Sequence, residues 1–90
     1  MPLPIKKMTT RESKLCKVIL DALHDLDGGQ YTEVQIHGEF YQRGLKCSLA
    51  ELEGAIALCS VRKWIIGAPG LADKMKWNIS DRGETARLEL

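Results

Sequence analysis

Apolar positions repeat with a helical period in three stretches of the chain and with a strand period in two. From Ser48 the chain reads SLAELEGAIALCSVRKWII. Ser48 followed three positions later by Glu51 has the spacing of a capping box, in which each side chain bonds the other's backbone N–H at a helix start. Leu49, Leu52, Ile56 and Cys59 then share one helical face. The β-branched and aromatic run Trp64-Ile65-Ile66 follows, so a strand is expected over Trp64 to Ala68. Upstream, Thr9 and Glu12 make a second capping box. It opens a helix whose inward stripe is Leu15, Ile19, Leu23 and Leu26, widened by Cys16, Leu20 and Ala22. Gly28-Gly29 stops that helix, one glycine taking the left-handed position after its end. Thr32 caps a second helix, Glu33 to Arg43, with Ile36 and Phe40 inward and Val34 or Tyr41 flanking them. Gly38 inside it costs about 1 kcal/mol against alanine, which close approach of a neighbouring helix would explain. Gly44 ends the second helix, and Leu45-Lys46-Cys47 is a tight turn into Ser48.

After the first strand, Pro69-Gly70 and Asp73 mark a loop. Met75 to Ile79 alternates as a second strand, with Met75, Trp77 and Ile79 on one face. Ser80 caps a last short helix within Asp81 to Leu90. Residues 1–8, with two prolines and two lysines, read as an extended arm, and 9–90 as a single domain of ordinary size. Trp64 and Trp77, on adjacent strands, are expected to cover the core rather than stack on bases.

Charge changes this picture only locally. The net charge is +1 over 90 residues, so nothing overall demands a polyanion or a membrane surface. Residues 1–20 carry Lys6, Lys7, Arg11, Lys14 and Lys17 against Glu12, whereas residues 21–41 carry five acids and no Lys or Arg. No apolar run has the length of a membrane span, and the first residues lack the core of a signal peptide. A cytoplasmic location without membrane contact is expected. Cys16, Cys47 and Cys59 are far apart and contain no CxxC, which suits a reducing compartment. A zinc site recruiting His24 or His37 would lack the spacing of a finger, so no metal and no cofactor are expected.

Three helices, the second and third joined by a tight turn, followed by strand, loop, strand and a closing helix, resemble the winged helix-turn-helix family. That implies an α+β fold: a three-helix bundle with a helix-turn-helix, a two-stranded wing hairpin and a short C-terminal helix. Trp77-Asn78-Ile79-Ser80-Asp81-Arg82-Gly83 is similar to that family's habit of following the second wing strand with Ser or Thr, a charged pair and Gly. One departure is Arg62-Lys63-Trp64, where many members have glycine just before the strand. The resemblance implies a small transcription regulator that binds double-stranded DNA as a dimer, with the third helix in the major groove and the wing on the backbone. Carried over to this sequence, candidate contacts are Lys46 and Ser48 at the third helix, Lys74 and Lys76 on the wing, and Lys6, Lys7 and Arg11 at the arm.

The residues on the third helix argue in another direction. The face opposite its core stripe is Ala50, Gly54, Ala57 and Val61, with Leu58 beside it. Bases are read by Arg, Lys, Asn, Gln, Ser and Thr, and alanine and valine touch only thymine methyls. Glu51 has a role as the capping partner of Ser48; Glu53 has none. This stripe suits packing against a second copy or another protein, so a protein-interaction module without DNA binding is the alternative function. No enzyme is expected. Ser48, Ser60 and Ser80 lack the glycines of a nucleophile elbow, and Gly67 to Gly70 lacks a phosphate loop's GK[ST].

Overall fold

The computed structural model describes residues 8–27, 29–70, 72 and 74–90. Four helices, α1 (Thr10–Asp25), α2 (Glu33–Gln42), α3 (Leu49–Val61) and α4 (Asp81–Glu89), each begin where a hydroxyl closes the first turn. Thr9 Oγ1 accepts from the Glu12 N–H at 3.0 Å while Glu12 Oε1 accepts from the Thr9 N–H at 2.8 Å. Ser48 and Glu51 make the same reciprocal pair, both bonds at 3.1 Å. Thr32 does so with Gln35, a third box not anticipated from the sequence. Each box satisfies helix N–H groups that would otherwise have no partner.

Three strands follow the chain order β1 (Tyr31–Thr32), β2 (Ile65–Pro69) and β3 (Met75–Ile79) and form an antiparallel sheet ordered β1-β3-β2. Ile65 faces Ile79 and Pro69 faces Met75 across the hairpin; Tyr31 faces Trp77 on the other edge of β3. β1 was not expected. Two residues are too short for any alternation to register, and the strand exists because β3 offers an edge to pair with.

The buried core joins Leu15, Cys16, Ile19, Leu20 and Leu23 of α1 to Ile36 and Phe40 of α2, Leu52, Ala55, Ile56 and Cys59 of α3, Ile65 of β2 and Ala86 of α4. Trp64 and Trp77 are partly buried and pack against it. The Cys16 and Cys59 thiols touch inside it, and Cys16 Sγ lies 3.9 Å from the Ala55 carbonyl. Contact with Cys16 and burial push the Cys59 thiol up. Among the described residues no helix is long and apolar enough to cross a membrane.

Several expectations need correction. Leu49 is 50% exposed, because it sits in the first turn of α3 ahead of the part the other elements cover; Ala55 lies inward instead. Val34 and Tyr41 do not flank the α2 core pair but face solvent. Among the described residues nothing lies within 4 Å of where a Cβ on Gly38 would stand, so none of the described helices explains that glycine. After α1 the left-handed residue is Asp27 (φ 49°). Gly28 and the loop residue Asp73 fall outside the described residues, as do 1–7, most of the expected arm with Lys6 and Lys7.

The corner between α3 and β2 positions the rest of the wing. Lys63 takes the left-handed conformation (φ 60°) at the point where glycine was the expected residue. Its carbonyl accepts from Ser80 Oγ at 2.6 Å, and the next carbonyl, Trp64 O, accepts from the Ser80 N–H at 2.9 Å. Left-handed backbone costs a side-chain-bearing residue about 1–2 kcal/mol, and glycine gives back part of that as unfolded-state entropy. Lys63→Gly should therefore raise stability by roughly 0.5–1 kcal/mol, read as a higher urea midpoint at constant slope. A lower midpoint would mean that the lysine side chain holds the corner.

Candidate nucleic-acid interface

The start of α3 is cross-linked to the start of α1. Arg11 stands in the first turn of α1, with Nε 3.1 Å from Glu51 Oε2 and Nη2 donating to the Lys46 carbonyl at 2.6 Å. Glu51 thus caps α3 and neutralises Arg11 together. The hydrogen bond from Arg11, then that from the Ser48 backbone, hold the Glu51 carboxyl below the usual range. Arg11, grouped with the arm in the sequence reading, is thereby engaged within the folded body. Ser48 Oγ is likewise engaged, on the Glu51 N–H. Lys46, in the turn before them, is exposed.

On the wing, Lys74 precedes β3 and is exposed, and its carbonyl accepts from the Gly70 N–H at 2.8 Å. Lys76, two residues on, is partly buried with its stem against Gly70, opposite Ala68 on β2 and Thr32 on β1. The outer stripe of α3 is exposed at Ala50, Gly54, Ala57 and Val61. Leu58 differs: it is partly buried and packs against the core.

Two features were not visible in the sequence. First, Glu53 on α3 lies beside Glu33 at the start of α2. Burial, then the neighbouring charge of Glu53, raise the Glu33 carboxyl's pKa, and one Glu33 oxygen is buried without a hydrogen-bond partner among the described residues. The two acids line a groove of about 430 Å³ with Val34, Ile56, Lys74 and Trp77. Second, the histidines have specific partners. His24 Nδ1 lies 2.8 Å from Glu84 Oε2 on α4, and His37 Nε2 lies 3.0 Å from the Cys47 carbonyl. Such pairs join residues far apart in the chain, so no local spacing announces them. No group of three or more His, Cys, Asp or Glu able to hold a metal occurs among the described residues.

No family model matches the chain, and no curated protein matches it in sequence. Solved structures do match in fold. FurB of M. tuberculosis, a zinc uptake regulator, superimposes with a TM-score of 0.66 at 14% identity, over 77% of this chain and 53% of that one. BpsR of Bordetella bronchiseptica, whose DNA binding is regulated by 6-hydroxynicotinic acid, gives 0.66 at 21% identity, over 97% and 55%. ZitR of Lactococcus lactis, in a mutant form, gives 0.65 at 14% identity, over 99% and 57%. The chain thus spans little more than half the length of the proteins it matches. With its helix-turn-helix α2–α3, its hairpin β2–β3 and α4 closing on the corner between α3 and β2, the chain has an α+β winged helix-turn-helix fold, similar to part of each of these structures.

Proposed function

We propose that this protein is a DNA-binding transcription regulator that acts as a dimer, with α3 against the major groove and the wing on the backbone. The observation that supports this best is the placement of cations around the exposed face of α3. Lys46 is exposed just ahead of the helix, and Lys74 lines the same groove as Glu53 of α3. Phosphate contacts of this kind position a protein without reading sequence. The small side chains Ala50, Gly54 and Ala57 let the α3 backbone approach closely but supply no base-specific donors or acceptors, so discrimination rests on thymine methyls and DNA shape. The DNA binding of BpsR supports the reading by analogy of fold. A protein-docking role for α3 is the second reading, favoured by the 81% exposure of Val61 on that face.

The wing provides the direct test. Lys74→Ala with Lys76→Ala should weaken every duplex alike and make the log-affinity against log-salt slope shallower by about two units. Titration of labelled duplexes at several salt concentrations reads both quantities. An unchanged slope would remove the wing from the contact surface.

A further inference from the structure

With α3 assigned to DNA, a dimer needs another face. We infer that two copies of this chain associate through α2, packed antiparallel about Gly38. The inference rests on the reading above, in which α3 is turned to DNA and the protein is a dimer, while the face itself is argued from the residues of α2.

The exposed face of α2 carries an apolar strip, Val34, Gly38 and Tyr41, bordered by exposed Gln35 and Gln42. Val34, Gly38 and Tyr41 fall at i, i+4 and i+7, with Val34 68% and Tyr41 78% exposed. Gly38 lies inside this ten-residue helix, where glycine weakens it, yet open space surrounds the missing side chain. Nothing among the described residues accounts for that glycine, but a helix from outside would use it, because the absent side chain lets two backbones come close. Beside it runs a groove of about 470 Å³ lined by Val34, Gly38, Phe40, Tyr41, Leu45 and Lys46. An aromatic ring can fill such a groove.

The face is complementary to itself. Val34 is the second residue of α2 and Tyr41 the second from its end. A two-fold axis near Gly38 therefore sets each Val34 against the partner copy's Tyr41, and each ring over the other copy's glycine. Charge fits the same direction. Glu33 and Glu53 stand with Lys74 at the start of α2, two acids to one base, and Lys46 lies beyond its other end. Antiparallel packing brings acid to base at both ends, whereas parallel packing sets like against like. These features favour a second copy over an unrelated partner.

Solution mass of the whole chain across a dilution series tests this, with circular dichroism and DNA titration alongside. The parent should pass from two chains to one on dilution. Tyr41→Ala should raise the dissociation constant about thirtyfold or more, as truncation of a buried aromatic anchor does. Gly38→Gln should abolish the dimer while the monomer stays folded and melts no lower than the parent's, glutamine being the better helix former. Lys46→Glu should weaken association, and adding Glu53→Lys should restore it. A parent that stays monomeric, a Gly38→Gln variant as dimeric as the parent, or a dimer broken by Ala57→Glu and untouched by Gly38→Gln would each overturn the inference. A monomeric parent that still binds DNA would overturn it and leave DNA binding standing. An α2-dependent dimer with no DNA binding would do the reverse.

Discussion

Replacing Gly83 with alanine is expected to destabilise the protein by about 3 kcal/mol or more, although helix propensity alone favours the change by about 1 kcal/mol. Sterics decide the sign. The added carbon would stand 2.1 Å from Trp64 O, 2.7 Å from Ile79 Cγ1 and 3.0 Å from Trp64 C. Two of those atoms are backbone and cannot turn aside. They are also held in place, because Ser80 bonds the carbonyls of both Lys63 and Trp64. To admit a methyl group, α4 must lift from the corner, withdrawing Ala86 from the core and parting Glu84 from His24 and the Arg87 carbonyl from Lys17. Domains of this size have a margin of only about 5–15 kcal/mol. A urea melt followed by tryptophan fluorescence reads the loss directly. A Gly83→Ala protein as stable as the parent would show that α4 does not close on the corner between α3 and β2 in this way.

Ala57→Glu should have the largest effect on binding, a fall in DNA affinity of about a hundredfold with the fold and the solution mass unchanged. Ala57 is exposed in the middle of the outer stripe of α3, clear of the cap at Ser48 and of buried Ile56 and Cys59. Glutamate is a good helix former, so the monomer tolerates it. Against DNA the new carboxylate meets phosphates and base edges after losing its water. Arg11, in the first turn of α1, is already committed to Glu51. If α3 instead docks a protein, the same change breaks that assembly and alters the mass. Unchanged binding and unchanged mass in a folded variant would remove α3 from both roles.

The winged helix was legible because its punctuation is local. Ser48 with Glu51, Thr9 with Glu12, and Ser80 ahead of Gly83 each declare a helix start within four residues, and all three close as expected. The alternation of Met75, Trp77 and Ile79 located β3 to the residue. What escaped depends on which surfaces meet. Leu49 and Tyr41 have the period of core residues, and only the positions of other elements leave them in solvent. Tyr31 and Thr32 are a strand only beside Trp77 and Lys76. The candidate interface was legible as a set of residue types and not as a set of free charges. Nothing in the order of residues shows that Arg11 reaches forty positions along to Glu51, or that Glu53 shares its surroundings with Glu33. The departure at Lys63 was visible as a missing glycine, and the backbone there turns left-handed all the same.

The touching thiols of Cys16 and Cys59 make the core its own clock. Both sulfurs are fully buried, one on α1 and one on α3, so an alkylating reagent reaches them only when those helices part. Cys47, partly exposed in the turn before α3, reacts without that opening and supplies the reference rate in the same molecule. When reclosing outruns alkylation, the ratio of the two rates, corrected for intrinsic thiol reactivity, is the equilibrium population of the open form. Peptide mapping of alkylated protein would then report how each substitution at the corner or on α2 loosens the interior under native conditions, with no denaturant and no extrapolation.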